Sequence, residues 1–292
     1  MTAHHSILVF NVLDVTSYPE WDEDISINNY APEVVKEIYD VLDFTSNNNI
    51  IESLHDAVHL KDEAQNQFLL GLLSLEDRAM TERIFWGICR KIEVLSTRLK
   101  YLPDELKPLK KYLADKYFCN FSIFQSVPDS WAIDHVFPIV PLQRLHEEPT
   151  RTVTLQDITC DSDGVVDRFV DIRHTKESLE LHAVRENEPY YLGFLLIGAY
   201  QETLGDLHNL FGVVTEASVT VDANGEAVTE ESAYGDSVRK VLECSDYDTE
   251  HLQKVIAKEL SLRKARGVIS ENDERAMLDT FTQVLADYTY LA

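Results

Sequence analysis

The 292-residue chain is poor in glycine, cysteine and basic side chains, and each shortage removes a class of function. Its 10 glycines are about half the usual usage, and they form no Walker-type or Rossmann phosphate loop. A glycine cradle for nucleotide phosphates is therefore excluded. The four cysteines, Cys89, Cys119, Cys160 and Cys244, stand far apart and make no CxxC pair. With no sign of secretion, they read as reduced thiols in a cytoplasm-like compartment. Lys and Arg total 26 against 51 Asp and Glu, a formal net charge of −25. Such a field repels nucleic acid and anionic membrane and favours cationic small molecules or basic partners; the plainer alternative is an acidic solvated surface. No apolar run approaches the roughly 20 residues of a membrane span. The opening Met1-Thr2-Ala3-His4-His5 has no basic stretch leading into an apolar one, so no signal peptide is read. His4-His5 itself reads as strand-edge histidine.

What is present is an ordinary globular composition, 45% hydrophobic and 26% charged, long enough for one large domain or two smaller ones. Residues 6 to 15, "SILVFNVLDV", predict a buried strand. From Pro32 to Tyr117 the period is helical. Val34, Ile38, Val41 and Leu42 make one apolar stripe. Ser74, with Asp77 three residues on, caps a longer helix that spaces Ile84, Ile88, Ile92, Leu95 and Leu99 and ends at Pro103.

Short β runs follow: "FCNFSIFQS", "RTVTLQDITC", "VVDRFVDI", "SLELHAV", "YYLGFLLIGAY" and "EASVTVDANGEAVTE", the last with a hairpin signal at Asn224-Gly225. Asp248 or Thr249, and then Ser270, are candidate caps of two final helices, the second turning Met277, Phe281, Val284, Leu285 and Tyr288 inward. The pattern predicts an α+β fold. An antiparallel β-barrel or sandwich domain (residues 1–30 and 118–233) is interrupted by a helical bundle (31–117) and followed by a C-terminal helical segment (234–292).

The stretch "DITCDSDGVV", residues 157 to 166, puts Cys160 between a strand end and two carboxylates. Such a thiol can be a nucleophile, a metal ligand, a proton donor or a small buried side chain. Asp161 and Asp163 lack the ligand-rich spacing of a calcium loop, and His174 and His182 are too weakly placed for zinc. Neighbouring carboxylates push a thiol pKa up from its reference of about 8.5, which suits a proton donor better than a nucleophile. Further on, an apolar strand runs through Gly198-Ala199-Tyr200 towards a helix. It can offer backbone N–H groups and a phenol to a phosphate, or it is plain strand-and-helix packing.

Taken together, "ITCDSDG" (158–164), "LGFLLIGAYQE" (192–202) and "LGDLHNLFG" (204–212) resemble the C-terminal part of the biosynthetic arginine decarboxylases. "NFSIFQSVPDSWAIDHVFPIVPL" (120–142), the closing "YTYL" and the opening "TAHHS" are similar to the same family. The resemblance covers essentially the whole chain, strongly from 117 to 212 and loosely from 31 to 110. It implies a pyridoxal-phosphate enzyme of the alanine racemase-like class, in which a TIM-type barrel carrying the cofactor precedes a β domain. It further implies that Cys160 protonates the substrate α-carbon after CO2 leaves, that Asp161 contacts the substrate's positive end, and that both serve the neighbouring subunit of a homo-oligomer. Tyr200, with Gly198 before it, would bind the cofactor phosphate within its own subunit. "DSWAID" lies where related decarboxylases place a short substrate-reading helix, which makes Asp129 and Asp134 candidates beside the alternatives of helix cap and solvated charge. Magnesium enters by resemblance alone.

The family's lysine-bearing barrel, glycine-rich phosphate loop and Ser-Gly-Arg segment have no counterpart in this sequence. Lysines such as Lys110, Lys111, Lys240 and Lys254 fall in helical stretches. The expectation is a fragment: the C-terminal portion of an L-arginine decarboxylase that forms agmatine and CO2 for polyamine synthesis, inactive without its barrel. The alternative is a non-catalytic interaction protein derived from the same family.

Overall fold

A computed structural model describes residues 6–18, 25–99 and 103–291. The His4-His5 pair and most of the polar segment after the first strand lie outside the described residues. The chain opens with strand β1 (Ser6–Thr16). It then leaves for the helices α1 (Glu33–Phe44), α2 (Ile50–Leu69) and α3 (Leu75–Ser96), a single 3-10 turn at Asp104–Leu106, and α4 (Lys107–Tyr112).

Val34, Ile38 and Leu42 of α1 pack with Ile50, Leu54 and Ala57 of α2 and with Ile84, Ile88 and Ile92 of α3 in one buried cluster. The spacing of threes and fours puts each set on one helix face. Ser74 Oγ accepts from Asp77 N at 3.1 Å, satisfying an otherwise orphaned amide of α3. Lys91 Nζ donates to Leu42 O at 2.7 Å, a cation at the negative end of α1. α3 stops at Ser96, well before Pro103. There Ser96 and Thr97 turn their hydroxyls back onto Glu93 O and Val94 O, competing with the helical ladder.

The chain returns as β2 (Asp115–Cys119) beside β1, then forms two short helices, α5 (Ile123–Ser126) and α6 (Pro128–Ala132). "FCNFSIFQS" is therefore strand only as far as Cys119: Ser122 Oγ accepts from Gln125 N and starts a helical turn. Next come β3 (Ile139–Pro141), β4 (Arg151–Gln156), β5 (Val165–Val166), β6 (Phe169–Val170), β7 (Thr175–Lys176), β8 (Leu179–Leu181) and β9 (Tyr190–Ile197). The main sheet runs β3-β9-β1-β2-β4-β5, with β8 also on β4.

The antiparallel expectation fails at one place: β2 and β4 are parallel. Between them the chain crosses to the far edge at β3 and comes back, so β4 enters in the same direction as β2. The described strands leave β3 and β5 as separate edges rather than closing a barrel. β1 buries Leu8, Phe10 and Val12 and exposes Ile7 and Val9, so one face of this apolar strand is covered and the other is not. Phe10, Phe121 and Phe194 meet with ring centroids 4.9–5.2 Å apart at the centre of a second buried cluster.

After β9 come α7 (Ala199–Leu204), a separate hairpin β10 (Glu216–Val221) and β11 (Ala227–Ala233), then α8 (Val238–Cys244), α9 (Thr249–Ala265) and α10 (Glu271–Ala286). The hairpin turns at Gly225, φ 84°, where the absence of a Cβ removes the strain. Asp248 caps α9, and Ser270 with Asp273 forms a reciprocal capping box on α10. Of the residues expected to turn inward, Leu285 is buried and Phe281 half-buried, but Met277 and Val284 are exposed, as is Tyr288 beyond the end of α10. α10 packs chiefly against α8 and α9, and its covered side is shared with the polar Glu274.

A candidate active-site loop cluster

The loop 157–164 is built around a buried carboxylate. Asp157 Oδ2 accepts from Ile123 N at 2.8 Å, and Oδ1 accepts from Thr159 N at 2.9 Å and Thr159 Oγ1 at 2.7 Å. Its own backbone N donates to Gly164 O at 2.8 Å, and Gly164 N donates to Asp161 O at 3.1 Å, which closes the loop. Burial raises the Asp157 carboxyl above its ordinary pKa, against the pull of the Ile123 and Thr159 donors.

Cys160 stands exposed in this chain. Its Sγ–H donates to Asn209 Oδ1 at 3.5 Å. Asp161 is half-buried; its Oδ1 accepts from Asp163 N at 3.0 Å, and its Oδ2 lies 3.4 Å from His208 Nε2. The His208 ring meets buried Phe124 edge to face at 5.7 Å, and Phe124 meets Trp131 at 5.1 Å.

Residues 205–212 are clamped from several sides. Asp206 N donates to Phe124 O at 3.0 Å, and His208 N to Asp206 Oδ1 at 2.8 Å. Leu210 sits in the left-handed region at φ 61°. Gly212 N donates to Thr289 Oγ1 at 3.1 Å, and Tyr290 Oη donates to Gly212 O at 2.9 Å. The closing "YTYL" thus ties down the strand of chain that faces Cys160.

The other sequence candidates fall nearby but in different settings. Asp129 is engaged by α7: Gln201 Nε2 donates to Asp129 Oδ2 at 2.6 Å, and Asp129 N donates to Gln201 Oε1 at 3.1 Å. Asp134, at φ 56°, is exposed and pairs with Arg168 at 3.1 Å. Asp134 and Arg168, with Trp131 and Asp163, line a cleft of about 400 Å³, and Asp129 does not. Cys160, Asp161 and Tyr200 do not line it, nor does any lysine. Gly198 immediately precedes α7 in extended backbone, and Tyr200 is 65% exposed, its hydroxyl bonded to no described residue. No group of three or more His, Cys, Asp or Glu among the described residues could hold a metal ion.

Sequence reasoning passed over Asp157, His208 and Asn209 as site residues. Asp157 carries a local signal, an Asp two residues before a Thr at a strand end, typical of a side chain that bonds its own backbone. His208 and Asn209 carry none, because their partners lie more than forty residues earlier in the chain.

Residues 28–110, which include the α1–α3 bundle, match the arginine decarboxylase helical bundle domain, a domain class named for a decarboxylase. Over its whole length the chain is 44% identical to the biosynthetic arginine decarboxylase of Bacteroides thetaiotaomicron and 45% identical to that of Deinococcus radiodurans, covering 46% and 44% of those proteins. The crystal structure of the biosynthetic arginine decarboxylase SpeA from Campylobacter jejuni superposes on all of it with a TM-score of 0.79 at 34% identity, again over 46% of that chain. Along its whole length the chain is thus homologous to the biosynthetic arginine decarboxylases, corresponds to their C-terminal part, and spans less than half the length of these relatives. No helix among the described residues is long and apolar enough to cross a membrane.

Proposed function

We propose that the chain works as the C-terminal part of an arginine decarboxylase, converting L-arginine to agmatine and CO2 in polyamine biosynthesis in the cytoplasm. In this reading loop 157–164 lends Cys160 and Asp161 to a pyridoxal-phosphate site on the neighbouring subunit of a homo-oligomer. The observation that carries it is the placement of the pair. An exposed thiol and a half-buried carboxylate share one loop nailed down by Asp157, and neither lines the cleft beside Asp134.

The residues fit the edge of a cofactor site rather than its centre. Tyr200 offers a phenol with no described partner, a donor suited to a phosphate oxygen, next to the backbone of Gly198. The Schiff-base lysine is assigned to the barrel of the complete enzyme. When bound, pyridoxal phosphate supplies the sink for the electron pair left when the carbon–carbon bond breaks and CO2 departs. Cys160 delivers the proton that the α-carbon then takes. Asp161 holds the guanidinium as a counter-charge, accepting two parallel hydrogen bonds. His208, 3.4 Å from that carboxylate, is what the guanidinium would displace or share.

Subunit mixing tests the reading. In the complete enzyme, Cys160→Ala should slow turnover roughly a hundred- to ten-thousandfold, and Asp161→Ala should chiefly raise KM for arginine. Chains carrying Cys160→Ala, mixed with chains lacking the Schiff-base lysine, should regain part of the lost activity. No regain, with subunit exchange demonstrated, would mean that Cys160 acts within its own chain or not at all. The 292-residue chain alone should form no agmatine.

A further inference from the structure

We infer that Asn209 is a positioning residue for the Cys160 thiol: its side-chain amide holds the S–H in one orientation for delivery of the proton. The inference rests on the reading of Cys160 as proton donor.

An exposed cysteine ordinarily turns among three staggered positions about its Cα–Cβ bond, and only some of them aim the sulfur usefully. Here one acceptor selects among them, Asn209 Oδ1 at 3.5 Å from Sγ. Asn209 can act this way because its backbone is fixed. The neighbouring Leu210 is in the left-handed region at φ 61°, and Gly212 is held by Thr289 and Tyr290.

A second observation points the same way. Asn209 Nδ2 is enclosed by protein and has no hydrogen-bond partner among the described residues. An asparagine retained only to stitch a loop would satisfy both ends of its amide, because an enclosed, unpaired N–H2 costs free energy. This one spends its only described side-chain hydrogen bond on Cys160.

The test uses Asn209→Leu, which removes the polar contact, and Asn209→Asp, which keeps an acceptor in the same shape. The first readout is the rate at which iodoacetamide alkylates Cys160 in the 292-residue chain at neutral pH, followed by peptide mass spectrometry. The likewise exposed Cys244 serves as internal reference. Asn209→Leu should alkylate about threefold faster or more, since a sulfur freed from its acceptor turns among all its rotamers and meets the reagent more often, while Asn209→Asp should stay at or below the wild-type rate.

The second readout is kinetic, in the complete enzyme loaded with cofactor. Asn209→Leu should lower kcat about two- to tenfold, the worth of one neutral hydrogen bond, with KM for arginine within about twofold. Asn209→Asp should recover part of the loss. Adding Asn209→Leu to Cys160→Ala should slow the enzyme no further, because both changes act on one proton. If Cys160→Ala is slow but Asn209→Leu matches wild type in alkylation and kcat, this inference falls and the reading of Cys160 stands. If Cys160→Ala itself turns over normally, both fall.

Discussion

Gly164 lies so close to Asp157 that a Cβ on the glycine would stand 2.1 Å from the carboxylate Oδ1. The glycine is required here by close approach, since no left-handed φ is involved. Gly164→Ala should push Asp157 off Ile123 N and Thr159 and loosen the loop that carries Cys160. The expected result is a lower Tm for the 292-residue chain together with faster proteolysis within residues 157–166. An unchanged Tm would mean that the loop has room to shift.

Asp157→Asn tests the buried anchor itself. An amide nitrogen would now face a backbone donor, which should cost about 1–3 kcal/mol. The pH dependence is diagnostic. With its pKa raised by burial, Asp157 holds a proton in the folded chain over a range where the unfolded carboxyl, near 3.9, has already lost it. Its contribution to stability is therefore fully present below the unfolded value and declines as pH rises through the folded one. Urea unfolding from about pH 4 to 7 should show that decline in wild type and a flatter profile in Asp157→Asn. Parallel profiles would remove the carboxyl from the account.

Tyr200→Phe, in the complete enzyme, removes one phenolic donor and little else, because the hydroxyl bonds to no described residue. Cofactor affinity should weaken by about 0.5–3 kcal/mol, the upper end applying to a charged acceptor, with no change in Tm of the apoprotein. Cofactor titration followed by fluorescence measures it. Equal affinity would leave Tyr200 outside the phosphate site.

The α9–α10 pair should be sensitive to acid through Glu274. Hydrogen bonds from Lys264 and Ser261 hold this carboxyl below its ordinary range. Its stabilising contribution is present above the unfolded value of about 4.3 and is lost as pH falls through the lowered folded one. Glu274→Gln should therefore melt earlier than wild type at neutral pH, and the gap should narrow as pH falls towards about 3. A gap independent of pH would assign the effect to packing.

Much of the fold was legible because its signals are local. The Ser74, Asp248 and Ser270 caps, the stripe of α1, the Ile84-Ile88-Ile92 spacing and the Asn224-Gly225 turn each depend on residues within a turn or two of one another. What was misread depends on distant chain. The parallel β2–β4 pair follows from a crossover of some thirty residues, and the exposure of Met277 and Val284 from which helices happen to cover α10.

The candidate site divides along the same line. The sequence by itself determined that Cys160 follows a strand end beside two carboxylates, and its likeness to a decarboxylase family singled out Asp161, Tyr200 and the substrate-reading segment. Only the tertiary structure decided that Asp157 is the buried hub, that Gln201 engages Asp129, and that Asn209 and His208 face Cys160 and Asp161. The physical reason is range. Caps and turns are chosen by hydrogen bonds between near neighbours, whereas the surroundings of a thiol are set by whichever distant segments the packed core brings against it.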